Sequence, residues 1–269
     1  SFYTMAQSCM QERDPWYNSG KRNRRECGNS MMESPLAFLA GEEKTTSGPA
    51  GRRIALALFD LDGTLIDSEE NHYKSDEILL ARRGISFSRE DKAAYVGKDI
   101  YEMVRRIRAN YGLEDDVQAL VDEKNALYRK VALISSRLYP PMRPLLEGLA
   151  ERKLPMAVAT GSNNSIASEI LEVLGVRSFF THIVSSSEVR RGKPAPDIFL
   201  EAARRMNANP ESAIVFEDTK YGVEAALNAG MTCVALPAPG ERTDDPLFRR
   251  ASYLVPGGPD VLDTDDFFQ

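Results

Sequence analysis

The sequence predicts a doubly wound α/β fold, a parallel sheet with helices on both faces, carrying a helical domain inserted after the first strand. Three observations predict it. From Ile54 onward, short uninterrupted apolar runs alternate with segments of helical period, the pattern of strands buried on both faces of a parallel sheet and the helices that cross between them. Most of these runs end in polar residues. One interval, the 100 residues from Asp60 to Thr160, exceeds the roughly 30 that a strand, helix, strand unit needs.

In chain order, the strand runs are Ile54–Phe59, Met156–Ala159, Ile183–Val184, Ala213–Phe216, Cys233–Leu236 and Tyr253–Val255. Between about Ile66 and Met142 the text is helical: Ile78, Leu79 and Leu80, then Met103, Val104 and Ile107, then Val117, Leu120, Val121, Leu127 and Val131. This stretch is the inserted domain, and it returns through Tyr139, Pro140 and Pro141, a stiff connection suited to a hinge. Ile166, Ile170, Leu171 and Leu174 keep helical spacing and stop at Gly175, which suits a helix C-terminus. Ile198, Phe199, Ala202, Ala203 and Met206 form the next helix after Pro196, a residue favoured at helix starts. The predicted organisation is an extension over residues 1–53, an α/β core over 54–67 and 142–269, and a helical cap over 68–141. Ligands of open α/β sheets bind outside the carboxyl ends of the strands, where this insertion leaves and re-enters, so the cap is expected to cover the site.

Composition narrows the function. Hydrophobic residues make up 42% and charged residues 28% of the 269, as in ordinary soluble proteins. The six-residue run Ile54–Phe59 is far short of the roughly 18 needed to span a bilayer. The net charge of −6 divides into +2 over residues 1–53 (eight basic, six acidic) and −8 over the rest (26 basic, 34 acidic). An acidic body argues against nucleic acid as a partner. Cys9, Cys27 and Cys233 form no disulfide framework, and Cys233 sits in an apolar run as a small buried hydrophobe, so the expected compartment is the cytoplasm. Residues 1–53 lack the continuous apolar segment of a signal peptide. They read as a poorly ordered extension, with a transit peptide, vector residue or an upstream start site as alternatives.

The first strand ends in Phe59-Asp60-Leu61-Asp62-Gly63-Thr64-Leu65-Ile66-Asp67-Ser68. Two carboxylates two residues apart can both turn toward one cleft once the chain leaves the pleat, and Gly63 permits that turn. An isolated Asp-x-Asp would equally be a solvated turn or a helix cap. The full string is more specific, and three further motifs follow in order: Ala159-Thr160-Gly161-Ser162 at the second strand end, Gly192-Lys193-Pro194-Ala195-Pro196-Asp197 before a helix, and Phe216-Glu217-Asp218-Thr219 at the fourth. With these four motifs the chain from Ile54 to Val255 resembles the haloacid dehalogenase-like superfamily, in the subgroup that includes β-phosphoglucomutase and many sugar-phosphate and nucleotide phosphatases.

The resemblance implies an Mg²⁺-dependent phosphotransferase site with Asp60 as the nucleophile that becomes a phosphoaspartate. A carboxylate nucleophile divides one hard hydrolysis into two easier steps. Asp62 is then the general acid and base. Thr160 and the N–H groups around Gly161 hold phosphoryl oxygens, and Lys193 supplies a point charge. The Asp60 carboxylate, the Asp62 carbonyl and Asp218 form part of a magnesium shell, which favours oxygen ligands; Glu217 stands behind it. In the cap, His72 falls in the first turns of the first helix, in a place where relatives also carry His, and is either functional or solvated. Lys124-Asn125-x-x-Tyr128 resembles a cap stretch whose lysine reaches substrate, and otherwise reads as a charged helix face. His182 reads as structural.

Two departures bear on substrate. The mutase carries Gly-x-x-Arg in a cap loop where this chain has Gly97-Lys98-Asp99-Ile100, and a Lys after the second motif where this chain has Asn163. Ile100 cannot replace a bidentate phosphate fork, and Lys98 compensates only as a point charge. The expected activity is therefore that of a monomeric phosphatase acting on a small phosphate ester, a sugar phosphate, with a β-phosphoglucomutase-like mutase as the alternative. A dehalogenase is disfavoured by the presence of Asp62, and a noncatalytic binding protein by the complete motif set.

Overall fold

The structure is a computed structural model that describes residues 54–95 and 100–265; the predicted extension over residues 1–53 and the loop residue Lys98 lie outside the described residues. Its centre is a six-stranded parallel sheet of β1 (Leu56–Phe59), β4 (Met156–Thr160), β5 (His182–Ser185), β6 (Ala213–Glu217), β7 (Thr232–Ala235) and β8 (Tyr253–Leu254), in the order β5-β4-β1-β6-β7-β8. Every predicted run is in it. Ala57 faces Met156 on one side and Ile214 on the other, so β1 is the central strand from which the chain winds first toward β4 and β5, then toward β6 to β8. The strand order reverses between β1 and β6, and ligands of open α/β sheets bind at the carboxyl ends of strands at such a reversal.

The continuous apolar runs are explained by burial on both faces. Ala57, Phe59, Val158 and Phe216 join one core with Leu145, Leu146 and Leu149 of α5 (Met142–Glu151) and Ile166 and Ile170 of α6 (Asn164–Val173). Leu56, Leu58, Ala159 and Val215 join a second with Ile198 and Phe199 of α7 (Asp197–Arg205) and Val223 of α8 (Lys220–Asn228). Phe59 and Phe216 stack with centroids 4.6 Å apart beneath the site. Helix α6 ends as expected at Gly175, whose φ of +67° lets the Val176 N–H turn back to the Leu171 carbonyl. Cys233 is fully buried and its thiol is pushed up by that burial.

Between Ile66 and Leu138 the chain leaves the sheet through a short antiparallel pair, β2 (Ile66–Asp67) with β3 (Arg137–Leu138). The insertion consists of α1 (Glu69–Ala81), α2 (Arg89–Ala93), α3 (Ile100–Tyr111) and α4 (Val117–Ser135). It has its own apolar cluster, including Leu79, Leu80, Phe87, Met103, Val104, Ile107, Leu120 and Val121. The two-residue strands escape a periodicity reading because neither is long enough to show a period. Helix α5 was not named from the sequence either, although Met142, Leu145, Leu146 and Leu149 keep helical spacing.

Candidate active site

The turn after β1 is tightly drawn. Leu65 N and Ile66 N both donate to the Leu61 carbonyl, at 3.0 Å each, and Gly63 N donates to the Ile66 carbonyl at 2.9 Å. Gly63 has φ +86°, and a Cβ there would stand 2.2 Å from Asp218 Oδ2, so only glycine lets the β1 turn approach the end of β6 this closely. Thr64 Oγ1 donates to Asp218 Oδ1 at 2.9 Å across the same approach. The Asp-x-Asp-Gly-Thr string thus folds around the carboxylate of another strand.

Asp60 lies at the carboxyl end of β1, buried, its N–H held by the Phe216 carbonyl at 3.0 Å. Lys193 Nζ donates to Asp60 Oδ1 at 2.5 Å, to Glu217 Oε1 at 2.6 Å and to the Ala159 carbonyl at 3.3 Å. Burial pushes the Asp60 carboxyl up to about 7, with Glu217 and Asp62 adding repulsion and Lys193 pulling the other way. Asp218 is raised well above the carboxylate range by burial, Glu217 and Asp60. Burial disfavours the Lys193 ammonium, yet Asp60 and Glu217 outweigh it and hold the group charged.

Oxygens of Asp60, Glu217 and Asp218 lie within 4.8 Å of one another. Three carboxylates so close carry more negative charge than one lysine neutralises, and an all-oxygen donor set suits Mg²⁺. Glu217 is already occupied: Oε2 accepts from Thr219 N at 2.7 Å and Thr219 Oγ1 at 3.0 Å, while Oε1 accepts from Lys193. Asp60 and Asp218 each have one oxygen so engaged, Oδ1 of Asp60 by Lys193 and Oδ1 of Asp218 by Thr64, and could offer the other to a cation. The helix cap is Thr219 rather than either acid, with Oγ1 accepting from Gly222 N at 3.1 Å.

Asp62 faces a different set of partners. Tyr128 of α4 donates to Oδ1 and Ser162 to Oδ2, each at 2.5 Å, and His72 Nε2 of α1 is 3.6 Å from Oδ1. Burial alone would raise this carboxyl; donation by His72, Ser162 and Tyr128 outweighs it and holds the group well below the usual carboxylate range. The loop after β4 is ordered by its own hydroxyls. Thr160 Oγ1 accepts from Ser162 N at 3.0 Å, Ser185 Oγ donates to the Ser162 carbonyl at 2.7 Å, and Ser186 Oγ to the Gly161 carbonyl at 3.0 Å. A Cβ at Gly161 would meet nothing within 4 Å. Asn163 is the N-cap of α6, its Oδ1 accepting from Ser165 N at 2.9 Å, which accounts for a short polar residue there in place of lysine.

These placements coincide with a sequence match: the family model for haloacid dehalogenase-like hydrolases fits residues 57–236. The chain belongs to that family. Among relatives of this hydrolase, the fructose-1-phosphate phosphatase YqaB of Escherichia coli is 35% identical over 182 residues, 68% of this chain and 96% of that one. The (DL)-glycerol-3-phosphatase 2 of Arabidopsis thaliana is 34% identical, over 77% of this chain and 86% of that one. The crystal structure of CbbY from Rhodobacter sphaeroides in complex with phosphate shares the fold, with TM-score 0.69 and 23% identity, covering 80% of this chain and 100% of that one.

The hydrolase brings Asp60, Asp62, Thr160, Gly161, Lys193, Glu217 and Asp218 to the carboxyl ends of β1, β4 and β6, with His72 above Asp62. Lys124 lies elsewhere. It is buried one helical turn from Tyr128 and is ion-paired with Asp76 of α1, whose other oxygen is held by Lys92 of α2 at 2.7 Å. Sequence reading passed over Tyr128 and Ser162 as site residues although both stand inside quoted motifs, because a hydroxyl's partner depends on tertiary packing. Gly222, outside the quoted motifs, is a third residue that the sequence reading did not place in the site. A Cβ there would sit 1.7 Å from Glu217 Oε1, so Gly222→Ala is expected to dislodge that carboxylate from Lys193 and Thr219. Overpacking of about 1–3 kcal/mol corresponds to a melting temperature lower by roughly 2–12 °C. Thermal melting and steady-state rates measured together check this.

Proposed function

We propose that the protein is an Mg²⁺-dependent phosphatase that hydrolyses a small phosphorylated metabolite, a sugar phosphate, through a phosphoaspartate on Asp60, beneath a helical cap formed by residues 68–141. The observation that carries the reading is the separation of two carboxylates two residues apart: Asp60 is bound by Lys193 beside Asp218, whereas Asp62 is bound by hydroxyls and faces His72. This difference in partners supports Asp60 as the attacking group and Asp62 as the proton carrier. The names of the relatives, a fructose-1-phosphate phosphatase and a glycerol-3-phosphatase, support a sugar or polyol phosphate as the substrate class.

Mg²⁺, held by the Asp60 carboxylate, the Asp62 carbonyl and Asp218, would neutralise phosphoryl charge and bring substrate and nucleophile together. Lys193 adds a fixed positive charge beside the nucleophile. The Thr160 hydroxyl and the N–H groups around Gly161 bind phosphoryl oxygens at the start of α6. Asp62 gives a proton to the leaving oxygen and afterwards takes one from the water that opens the phosphoaspartate. The cap excludes bulk water, which otherwise competes for the same groups.

The test is incubation with Mg²⁺ and a panel of hexose, pentose, polyol and nucleoside phosphates, following both free phosphate and isomerised sugar phosphate. Free phosphate from a subset is the expected result; isomerised product with little free phosphate would overturn the reading in favour of a mutase. Chelation by EDTA followed by dialysis should abolish the release and added Mg²⁺ should restore it. Full activity after chelation would remove magnesium from the proposal.

A further inference from the structure

The two oxygens of Asp62 are divided between two parts of the molecule. Oδ1 is addressed from the insertion, by Tyr128 at 2.5 Å and His72 at 3.6 Å, and Oδ2 from the loop after β4, by Ser162 at 2.5 Å. Helix α4 belongs to both cores. Leu120, Val121 and Leu127 pack within the insertion, whereas Tyr128 and Ala132 pack with the sheet core. The next residue, Arg129, reaches Glu169 of α6 through two hydrogen bonds, so this turn of α4 is fastened to the core on both sides of its backbone. The Tyr128 ring is buried and stacked on His72, with centroids 4.3 Å apart and planes 13° from parallel. A buried phenol with a fixed ring has a fixed oxygen position, and here its hydroxyl donates to Asp62 Oδ1.

We propose that Tyr128 is a positioning residue for proton transfer: it anchors Asp62 through Oδ1, which leaves Oδ2 as the oxygen that exchanges protons with substrate and water. The proposal rests on the reading of Asp62 as general acid and base. Ser162 stands in the loop where the phosphoryl group binds, so its hydroxyl has a competing acceptor once substrate arrives. The Tyr128 hydroxyl is carried on a buried ring stacked on His72; the hydroxyls of Ser68 and Ser162 stand beside it, and its own donation goes to Asp62. In the first step the Asp60 carboxylate forms a bond to phosphorus, the P–O bond to the alcohol breaks, and the proton on Oδ2 goes to the departing oxygen. In the second, water adds to phosphorus, the acyl P–O bond breaks to regenerate the Asp60 carboxylate, and Oδ2 receives the water's proton.

The experiment compares kcat/KM for a sugar or polyol phosphate with that for p-nitrophenyl phosphate, whose phenolate departs without needing a proton. This ratio reports the first step alone for both substrates. Tyr128→Phe keeps the ring and its stacking. It should lower kcat/KM for the alkyl ester by roughly tenfold or more, the usual weight of a hydrogen bond to a charged group, and for the nitrophenyl ester by no more than about twofold. Ser162→Ala should affect both substrates alike. Equal losses on both esters for Tyr128→Phe, or a bias seen with Ser162→Ala instead, would overturn the assignment. Asp62→Asn is the control for the underlying reading: if it shows no bias between the esters, general acid catalysis by Asp62 fails, whereas a bias with Asp62→Asn but not with Tyr128→Phe sinks only the role of Tyr128.

Discussion

Asp60→Asn is expected to lower phosphate release by at least about 10⁴-fold, the scale on which nucleophile removal acts, while the metal-free melting temperature stays within about 2 °C of the parent or rises. The amide has nearly the shape of the carboxyl but no nucleophilic oxygen of comparable strength. Lys193 keeps Glu217 as its partner at 2.6 Å, so no buried ammonium is left alone. The substitution also removes one of three carboxylates whose oxygens lie within 4.8 Å, which relieves repulsion in the absence of a cation. The sign follows from linkage. A carboxyl raised from 3.8 to about 7 on folding binds more protons in the folded than in the unfolded state across that window. The metal-free parent therefore loses stability as pH rises through it, and the Asn variant should lose less. Phosphate release and thermal melts, with and without Mg²⁺, check both halves. Turnover within about tenfold of the parent would exclude a phosphoaspartate on this residue. A fall in melting temperature of many degrees would show instead that activity was lost through the fold.

The sheet was legible because its strands are buried on both faces, and such strands print themselves as continuous apolar runs whatever their neighbours. The strand-end acids were legible for a related reason. A charged residue directly after a run such as Ile54–Phe59 or Ala213–Phe216 has little structural justification, and Asp60 and Glu217 stand in those two places. What escaped depends on distance across the fold. Tyr128 and Asp62 are 66 residues apart, and Ser162 and Asp62 are 100 apart; no local period records either pairing. Lys124 is the converse case. Its motif suggested a side chain reaching toward substrate, but the partner that claims it, Asp76, is a helical residue whose burial is visible only once α1 and α4 are packed together. The antiparallel seam of those helices places His72 with Tyr128 and, one turn on, Asp76 with Lys124. The first rung therefore serves the site and the second holds the helices together.

That second rung is where the largest stability effect is expected: Asp76→Asn should cost about 3–5 kcal/mol, the range for removing one partner of a buried ion pair, and lower the melting temperature by roughly 6–20 °C. The Asp76 side chain is fully buried, and each of its oxygens is taken by a different lysine, Oδ1 by Lys124 and Oδ2 by Lys92. Both ammonium groups are themselves buried. An amide there offers one acceptor where the carboxylate offered two, and no charge, so two cations would be left facing each other in an apolar interior. For Lys124, burial already depresses the ammonium against the pull of Asp76, with Lys92 adding to the depression. Without Asp76 the depression deepens, and a lysine with lowered folded pKa binds fewer protons folded than unfolded, so the variant's deficit should shrink as pH rises from about 7 toward about 10. Replacing the whole triad by apolar residues, Asp76→Leu with Lys92→Met and Lys124→Met, should recover most of the loss, since it is the unpaired charge and not the missing salt bridge that destabilises. Denaturant melts of the three proteins across that pH range separate the cases. An Asp76→Asn deficit below about 1 kcal/mol, or one that grows with pH, would mean that water reaches the lysines and that the seam between α1 and α4 is held by its apolar contacts alone.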